Sequence, residues 1–510
     1  MDGYSIIRVK ITFICPNESI LLHLWKNKTA MAKIIGRKTE VRELLESYNQ
    51  DQAQLVAIYG RRRVGKTFLV DEALKGKITF RHAGLSPVDE IGKKNLLKDQ
   101  LKHFYNSLRL HGMPRGKCPS SWLDAFFMLE EHLQQKDNGE KQVVFLDELP
   151  WMDTPRSGFL TAFEGFWNGW GCHRDNLMVV VCGSANSWIL DNLIHNHGGL
   201  YGRVTRSIKL YPFSLKECEE YFRENGFLLS RYDIVQSQMI LGGIPYYFNC
   251  FNREYSFSQN IDALFWGESP KLQDEFDKLF ASVFSKPEEM KRIVLALAKR
   301  RKGYTRNEIS ELTGIDTGGN FTKMLKALVE SNFVDQYYPF GESKKEIYYK
   351  LTDPFCLFYS KFLSGVKITD PYFWTNSQNS QQIISWRGFA FEDLCFRHIK
   401  EIKKALGISG VSAEYSAWNV PGDANSDGAQ VDLLIRRKDN VTNLCEMKFY
   451  SDEFEVSKAF YRTMLSRTNR LMEHLPKKHV IHPTLVTTFG LKRNEYSGVF
   501  NKVITLDDLF

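Results

Sequence analysis

Residues 55–75, LVAIYGRRRVGKTFLVDEALK, hold the residue types best suited to gripping a phosphate. Gly60 and Gly65 bracket four residues and are followed at once by Lys66 and Thr67. Glycines let successive backbone N–H groups turn inward around an anion, and a helix starting there adds its dipole. Lys66 is spaced to reach the terminal phosphates of ATP, and the Thr67 hydroxyl to ligate Mg²⁺. A chance glycine turn is the plainer alternative. It is disfavoured because the apolar strand pattern Leu55–Tyr59 precedes the loop and a helical pattern follows it. Hydrolysis needs an acidic pair, and KQVVFLDELPWMD supplies one in Asp147 and Glu148, directly after the apolar run Val143–Leu146. Such a run is a strand buried on both faces, and ligands bind at the carboxyl ends of such strands. There Asp147 would hold Mg²⁺ through water and Glu148 would polarise the attacking water. A third run, LMVVVCGSANSWI, ends in Ser184 and Asn186, placed either to position the γ-phosphate or the water, or, for Ser184, simply to cap a helix.

A second group of reactive side chains lies near the C-terminus. In LCEMKFY, residues 444–450, strand alternation puts Glu446 and Lys448 on one face and Cys445, Met447 and Phe449 on the other. Upstream, AQVDLLIRR carries Asp432 on a strand separated from NLCEMKF by a short polar turn. A three-residue turn, Lys438–Asn440, sets Asp432 across from Glu446, whereas a two-residue turn sets it opposite Met447. Glu392, in WRGFAFEDLCFRHIKEI, shares a helix side with Cys395, Phe396 and Ile399 and is costly to bury without a partner or a metal. Together Glu392, Asp432 and Glu446 could hold Mg²⁺ against a phosphodiester, with Lys448 orienting or activating water. A surface salt bridge between Glu446 and Lys448 is the competing explanation.

The elements that must position these groups follow from pattern. Residues 215–285 read as helical. YTRNEISELTGIDTGGNFTKMLKALVESNFVDQYYP then reads as helix, turn, second helix and strands, with Ile309, Leu312, Ile315, Met324, Leu325 and Leu328 as its core. Its second helix, about Asn320 to Ser331, offers only Lys323 and Lys326 to DNA, and packing on its own core is the alternative. Residues 1–30 lack the periodicity of a packed element and are expected to be a disordered extension or the product of a misassigned start.

Five segments, IIGRKTEVREL, GRRRVGKT, VVFLDELPW, VVVCGSANS and LYGRVTRSIKLYPFSLKE, resemble in this order the AAA+-related ATPases abundant in archaea, close to the STAND group. The resemblance covers roughly residues 31–285. It implies that Ile35, Gly36 and Arg37 lie against adenine and that the Gly243-Ile244-Pro245 turn also touches the nucleotide. It further implies that Arg203 is an arginine finger or sensor, unless that residue is merely a surface charge. The C-terminal carboxylates and lysine resemble PD-(D/E)xK nucleases, in particular the uncharacterised domain that commonly follows this ATPase. One departure is that Gln430-Val431 stands where a proline precedes the first aspartate.

These readings together imply an α/β chain: a P-loop AAA+-like parallel sheet (31–214), a helical lid (215–285), a winged helix (286–365) and a restriction-endonuclease-like α/β domain (386–510). The expected function is ATP hydrolysis coupled to Mg²⁺-dependent DNA cleavage, in defence or genome maintenance. The alternative is a nucleotide-switched scaffold whose C-terminal fold binds nucleic acid or protein without cutting. A small-molecule kinase is disfavoured, since no acceptor-binding insertion is evident. Composition agrees with a globular chain: 43% of residues are apolar and 25% charged, which leaves little room for a disordered or membrane class. The net charge of +8, from 68 basic and 60 acidic residues, permits a DNA partner without demanding one. Nine cysteines, none in a CxxC pair, argue against a zinc site or a disulfide scaffold. A cytoplasmic location without a membrane partner is expected, and a homo-oligomer is left open.

Overall fold

Apolar runs without alternation require burial on both faces, and three of them form the middle of a five-stranded parallel sheet. The computed structural model describes residues 34–86, 96–195, 198–338, 346–420 and 429–510, so the expectation for residues 1–30 lies outside the described residues. Strands β1 (Gln54–Gly60), β2 (Ile78–Ala83), β3 (Gln142–Asp147), β4 (Leu177–Gly183) and β5 (Arg206–Leu210) lie in the order β2-β3-β4-β1-β5. Along β1, side chains alternate between two cores. Val56 and Ile58 face helices α1 (Lys38–Tyr48) and α2 (Lys66–Ala73) through Leu44, Leu69 and Val70. Leu55 and Ala57 face α3 (Leu97–Leu110), α4 (Trp122–Gln135) and α5 (Phe159–Gly169) through Phe104, Phe126 and Phe163.

Four longer helices follow: α6 (Leu215–Glu224), α7 (Arg231–Leu241), α8 (Phe257–Phe265) and α9 (Glu275–Val283). Three start at capping boxes, Ser214 with Glu217, Ser230 with Asp233 and Ser256 with Gln259, in which hydroxyl and carboxylate or amide satisfy each other's backbone N–H groups. Then come α10 (Pro287–Leu297), β6 (Tyr304–Thr305), α11 (Arg306–Thr313), α12 (Gly319–Glu330), β7 (Val334–Tyr337) and β8 (Tyr348–Leu351), the three strands in the order β6-β8-β7. Ile309, Ile315, Met324, Leu325 and Leu328 are buried there, but Leu312 is 49% exposed. On α11 the inward stripe runs from Ile309 to Thr313, four residues on, whose hydroxyl donates to the Ile309 carbonyl. Leu312 therefore falls at the edge of that stripe.

Helix α13 (Pro354–Phe362) then leads to the C-terminal unit, which α14 (Gln381–Arg397) and α15 (Ile399–Ala405) open. The α-helix expected to carry Glu392 and Ile399 together breaks at His398, so Ile399 belongs to α15 and not to the stripe of Glu392. Strands β9 (Ala413–Val420), β10 (Ala429–Arg437), β11 (Val441–Lys448), β12 (Val480–Thr487) and β13 (Lys502–Ile504) form one sheet in the order β13-β12-β11-β10-β9. Strand β10 runs antiparallel to both β9 and β11. The connection through α16 (Lys458–Glu473) makes β12 parallel to β11. Leu433, Ile435, Cys445 and Met447 pack toward α14, and Leu434 and Leu444 toward α16. No helix among the described residues is long and apolar enough to cross a membrane.

Two ion pairs tie the loop after β1 to later elements. The Arg61 guanidinium meets the Asp353 carboxylate with both side chains at most 3% exposed, and Arg63 lies 2.9 Å from Glu275. Asp353 also accepts the Cys356 N–H and so caps α13. Removing one charge of a buried pair strands the other without its hydration. Asp353→Ala is expected to destabilise the chain by ~3–5 kcal/mol, and Asp353→Asn by less because the cap survives. The double change Arg61→Met, Asp353→Leu should cost less than Asp353→Ala, as urea unfolding would show.

Candidate functional site

The loop from Gly60 to Thr67 leaves β1 where any side chain at Gly60 would strike the next strand: an added Cβ would lie 2.2 Å from the Leu210 carbonyl oxygen. Gly65, at φ 92°, turns the chain into α2. Lys66 folds back over the loop, its Nζ donating to the Gly60 and Arg61 carbonyls at 3.0 and 3.1 Å. Burial lowers its pKa, so the amine is poised to gain from any anion brought to the loop. The Thr67 hydroxyl donates to Asp147 Oδ2 at 2.8 Å, which brings the two expected Mg²⁺-side groups into contact. Burial raises the pKa of Asp147, while the Thr67 hydrogen bond acts in the opposite direction. An ion at this position would keep that carboxylate charged, so the donor set suits Mg²⁺.

Glu148 follows in a left-handed conformation, φ 45°, which turns its side chain toward the end of β4. There the Ser184 N–H donates to Glu148 Oε2 at 3.1 Å, and the Ser184 hydroxyl to the same carboxylate at 3.0 Å. Asn186 accepts the Gly60 N–H at 2.9 Å and donates to the Glu330 carbonyl at 3.0 Å, spanning from the loop to α12. Arg37 donates to the Tyr211 carbonyl at 2.6 Å and lies 4.8 Å over the Phe213 ring. Ile35 is buried beside it, and Gly36, at φ 60°, lies against the Glu217 side chain. The Phe213 N–H donates to the Gly243 carbonyl at 2.7 Å, and Pro245 starts the one-turn helix Pro245–Phe248. Phe213 thus joins the Ile35–Arg37 segment to the Gly243–Pro245 turn. Arg203 is exposed and makes no ion pair among the described residues.

In the C-terminal sheet the β10–β11 turn has three residues, Lys438, Asp439 and Asn440, with Asn440 at φ 66°. Leu433 and Cys445 are the last paired residues, which leaves Asp432 and Glu446 next along the two strands. Here β10 slips against β9 between Val431 and Leu434, and the Asp432 Oδ2 accepts the Met447 N–H at 3.1 Å in place of a backbone carbonyl. Glu446 is buried between two cations, Lys448 Nζ at 2.6 Å and Arg467 Nη1 at 2.6 Å. Burial works against the charge on Lys448, yet Glu446 prevails and its pKa is raised. Glu392 meets Arg301 at 2.7 Å.

The electrostatics link these groups. Burial, reinforced by the charge of Glu446, pushes Asp432 up to about 6. Burial and the charge of Asp432 push Glu392 up to about 7, against the pull of Arg301. Asp432, Glu446 and Lys448 are therefore together, and Glu392 stands beside them but on Arg301. No three His, Cys, Asp or Glu side chains among the described residues are grouped so as to hold a metal ion. A divalent cation would nonetheless keep the crowded Asp432 carboxyl ionised, and Asp432 with Glu446 would be its ligands. Arg61, Arg301 and Arg467 were not singled out by type and spacing. Arg61 and Arg301 fall in basic runs, GRRRVGK and LAKRRKGYTR, but nothing local marks Arg467.

Residues 34–251 match a family described as an ATPase domain predominantly from Archaea, and with its loop and acidic pair this segment is a P-loop ATPase domain. Over 441 residues the chain is 23% identical to an uncharacterised protein of Methanocaldococcus jannaschii, covering 85% of this chain and 91% of that one. Among solved structures it is similar to a Walker-type ATPase of Pyrococcus abyssi, with 20% identity and a TM-score of 0.46 over 64% of this chain and 96% of that one. It is also similar to the ORC2 protein of Aeropyrum pernix, with 16% identity and a TM-score of 0.38 over 63% and 91% of the two chains.

The carboxyl pKa values carry a signed consequence. Between about pH 4 and 7 the folded chain keeps protons on Asp432 and Glu392 that the unfolded chain has released. The contribution of these two groups to stability therefore rises as pH falls from 8 to 5. Thermal melts across that range should show Asp432→Asn flattening the rise.

Proposed function

We propose that the chain is an ATP-hydrolysing, AAA+-like ATPase joined to a Mg²⁺-dependent, nuclease-like domain that acts on DNA. The observation that carries the second half is the meeting of Asp432, Glu446 and Lys448 where β10 and β11 part, beside the α14 carboxylate of Glu392. On nucleotide binding, Lys66 would exchange the Gly60 and Arg61 carbonyls for phosphate oxygens, and Thr67 and Asp147 would hold Mg²⁺. Glu148, oriented by Ser184, polarises the attacking water. The Ile35–Arg37 and Gly243–Pro245 segments, joined through Phe213, flank the adenine. Arg203, exposed and without an ion pair among the described residues, completes the site of a neighbouring copy, which makes a homo-oligomer part of this reading.

Residues 286–365 are read as a winged helix that connects domains and does not read DNA by its second helix. Lys326 on α12 is held by Asp191 at 2.7 Å, and the C-terminal end of α12 accepts from Asn186. In the C-terminal domain Mg²⁺, held by Asp432 and Glu446, would polarise the phosphodiester. Lys448 orients the water, and Arg467 fixes the Glu446 carboxylate from α16.

A nucleotide-switched scaffold that binds without cutting is the second reading. It is favoured by the neutralisation of Glu446 by Lys448 and Arg467, and of Glu392 by Arg301.

Plasmid incubated with the purified chain and Mg²⁺ or Mn²⁺, with and without ATP, separates the two. Cleavage should disappear in Asp432→Ala and slow in Lys448→Ala with ATP hydrolysis unchanged. No cleavage by the wild type under any of these conditions leaves the scaffold. For the ATPase half, Glu148→Gln should keep nucleotide binding and lose turnover, whereas Lys66→Ala should lose tight binding itself. Equal hydrolysis by Glu148→Gln and the wild type would remove Glu148 from its role.

A further inference from the structure

A cleft of about 560 Å³ lies between the β6–β8 segment and the C-terminal unit. Six cationic side chains line it, Lys299, Arg300, Arg301, Lys350, Lys361 and Arg397, against one acidic side chain, Asp393. Three of the cations are paired: Arg300 with Glu308 at 2.8 Å, Arg301 with Glu392 at 2.7 Å and Lys350 with Asp393 at 2.7 Å. Lys299 and Lys361 are exposed and have no carboxylate partner among the described residues. Arg397, exposed at its surface, donates to the Thr352 carbonyl at 3.2 Å, with Asp393 and Asp335 within electrostatic reach but not ion-paired to it. Unbalanced positive charge in a concave site attracts polyanions.

The same walls carry aromatic surface. Phe389 is 48% exposed, with the Arg301 guanidinium 4.3 Å over its ring, and Trp386, one turn earlier on α14, is nearly buried. An exposed ring in a cleft that also carries unpaired lysines is the arrangement on which bases of a single strand stack while its phosphates are held. The volume suits a nucleotide or two of a single strand and excludes a duplex. Direction comes from α14: Trp386, Phe389, Asp393 and Arg397 line the cleft, while Glu392 on the same helix lies within electrostatic reach of Asp432.

We propose that this cleft binds a single-stranded stretch of nucleic acid, with phosphates on Lys299, Lys361 and Arg397 and a base on Phe389, and leads it along α14 to Asp432 and Glu446. The destination rests on the nuclease-like reading above, whereas the binding does not.

The test uses the full chain carrying Asp432→Asn, so that nothing is cut, and a short fluorescent oligothymidylate read by anisotropy across a salt series. Adding Lys299→Glu and Lys361→Glu should weaken binding at least ~10-fold and lower the salt slope by about 0.7 for each phosphate no longer neutralised. Phe389→Ala should weaken binding several-fold with the slope unchanged. Lys323→Glu on α12 should leave both as they were. All four side chains are exposed, and unchanged ATP hydrolysis confirms that each variant folds. Undiminished binding by the charge-reversed chain, tighter binding of a duplex of equal length, or equal displacement by polyglutamate overturns the proposal, the last assigning the cleft to acidic proteins. Any of these results with wild-type plasmid cleavage intact leaves the nuclease reading standing. Oligothymidylate held in the cleft by a wild type that cuts nothing keeps the cleft and removes the nuclease.

Discussion

Arg61 carries its charge into the interior at the end of β1, and the Asp353 carboxylate meets it there, between the last strand of the β6–β8 sheet and α13. Neither group could be desolvated alone. The pair therefore requires the phosphate loop and the β8–α13 junction to be built together, and much of the remaining architecture follows from that. Arg63 reaches Glu275 on α9, which also accepts the Tyr247 hydroxyl at 2.9 Å. Asn186 spans from the loop to the end of α12. A loop that must turn its backbone N–H groups to a phosphate has its side chains directed outward, and here they are occupied as structural anchors.

Charge balance differs between the two carboxylate sites. In the ATPase domain Asp147 leans on a neutral hydroxyl and Glu148 on a hydroxyl and an amide, so among the described residues neither has an ion pair, as the proposed cation and water would require. In the C-terminal sheet Glu446 is held by two cations, while for Asp432 burial and the repulsion of Glu446 outweigh one backbone N–H and the more distant pull of Lys448 and Arg467. The raised pKa of Asp432 records that imbalance.

Local pattern carried much of this architecture. Unalternating apolar runs marked β1, β3 and β4 because only a doubly covered parallel sheet buries both faces of a strand. The three residues between Arg437 and Val441 set the register of β10 against β11, since a one-residue change in the turn would move every side chain to the other face. Where pattern misled, geometry at helix ends decided. Leu312 sits beside the stripe that Ile309 and Thr313 define, and His398 interrupts the helix that would have aligned Ile399 with Glu392. The pairs Arg61–Asp353, Arg301–Glu392 and Arg467–Glu446 were illegible for another reason. Each joins residues of types common on surfaces, and the first two lie far apart in sequence, so neither composition nor periodicity distinguishes them from solvated charges.

Residues Lys350 to Asp353 are four in a row, yet they touch both halves of the molecule. Asp353 holds Arg61 of the phosphate loop, Thr352 accepts from Arg397, and Lys350 pairs with Asp393 on α14. Thermodynamic linkage makes such a segment symmetric in its effects. If an occupant of the cleft alters nucleotide affinity through these four residues, nucleotide must alter the affinity for that occupant by the same factor. Neither site can then be assigned the role of master: control through this segment runs equally in both directions.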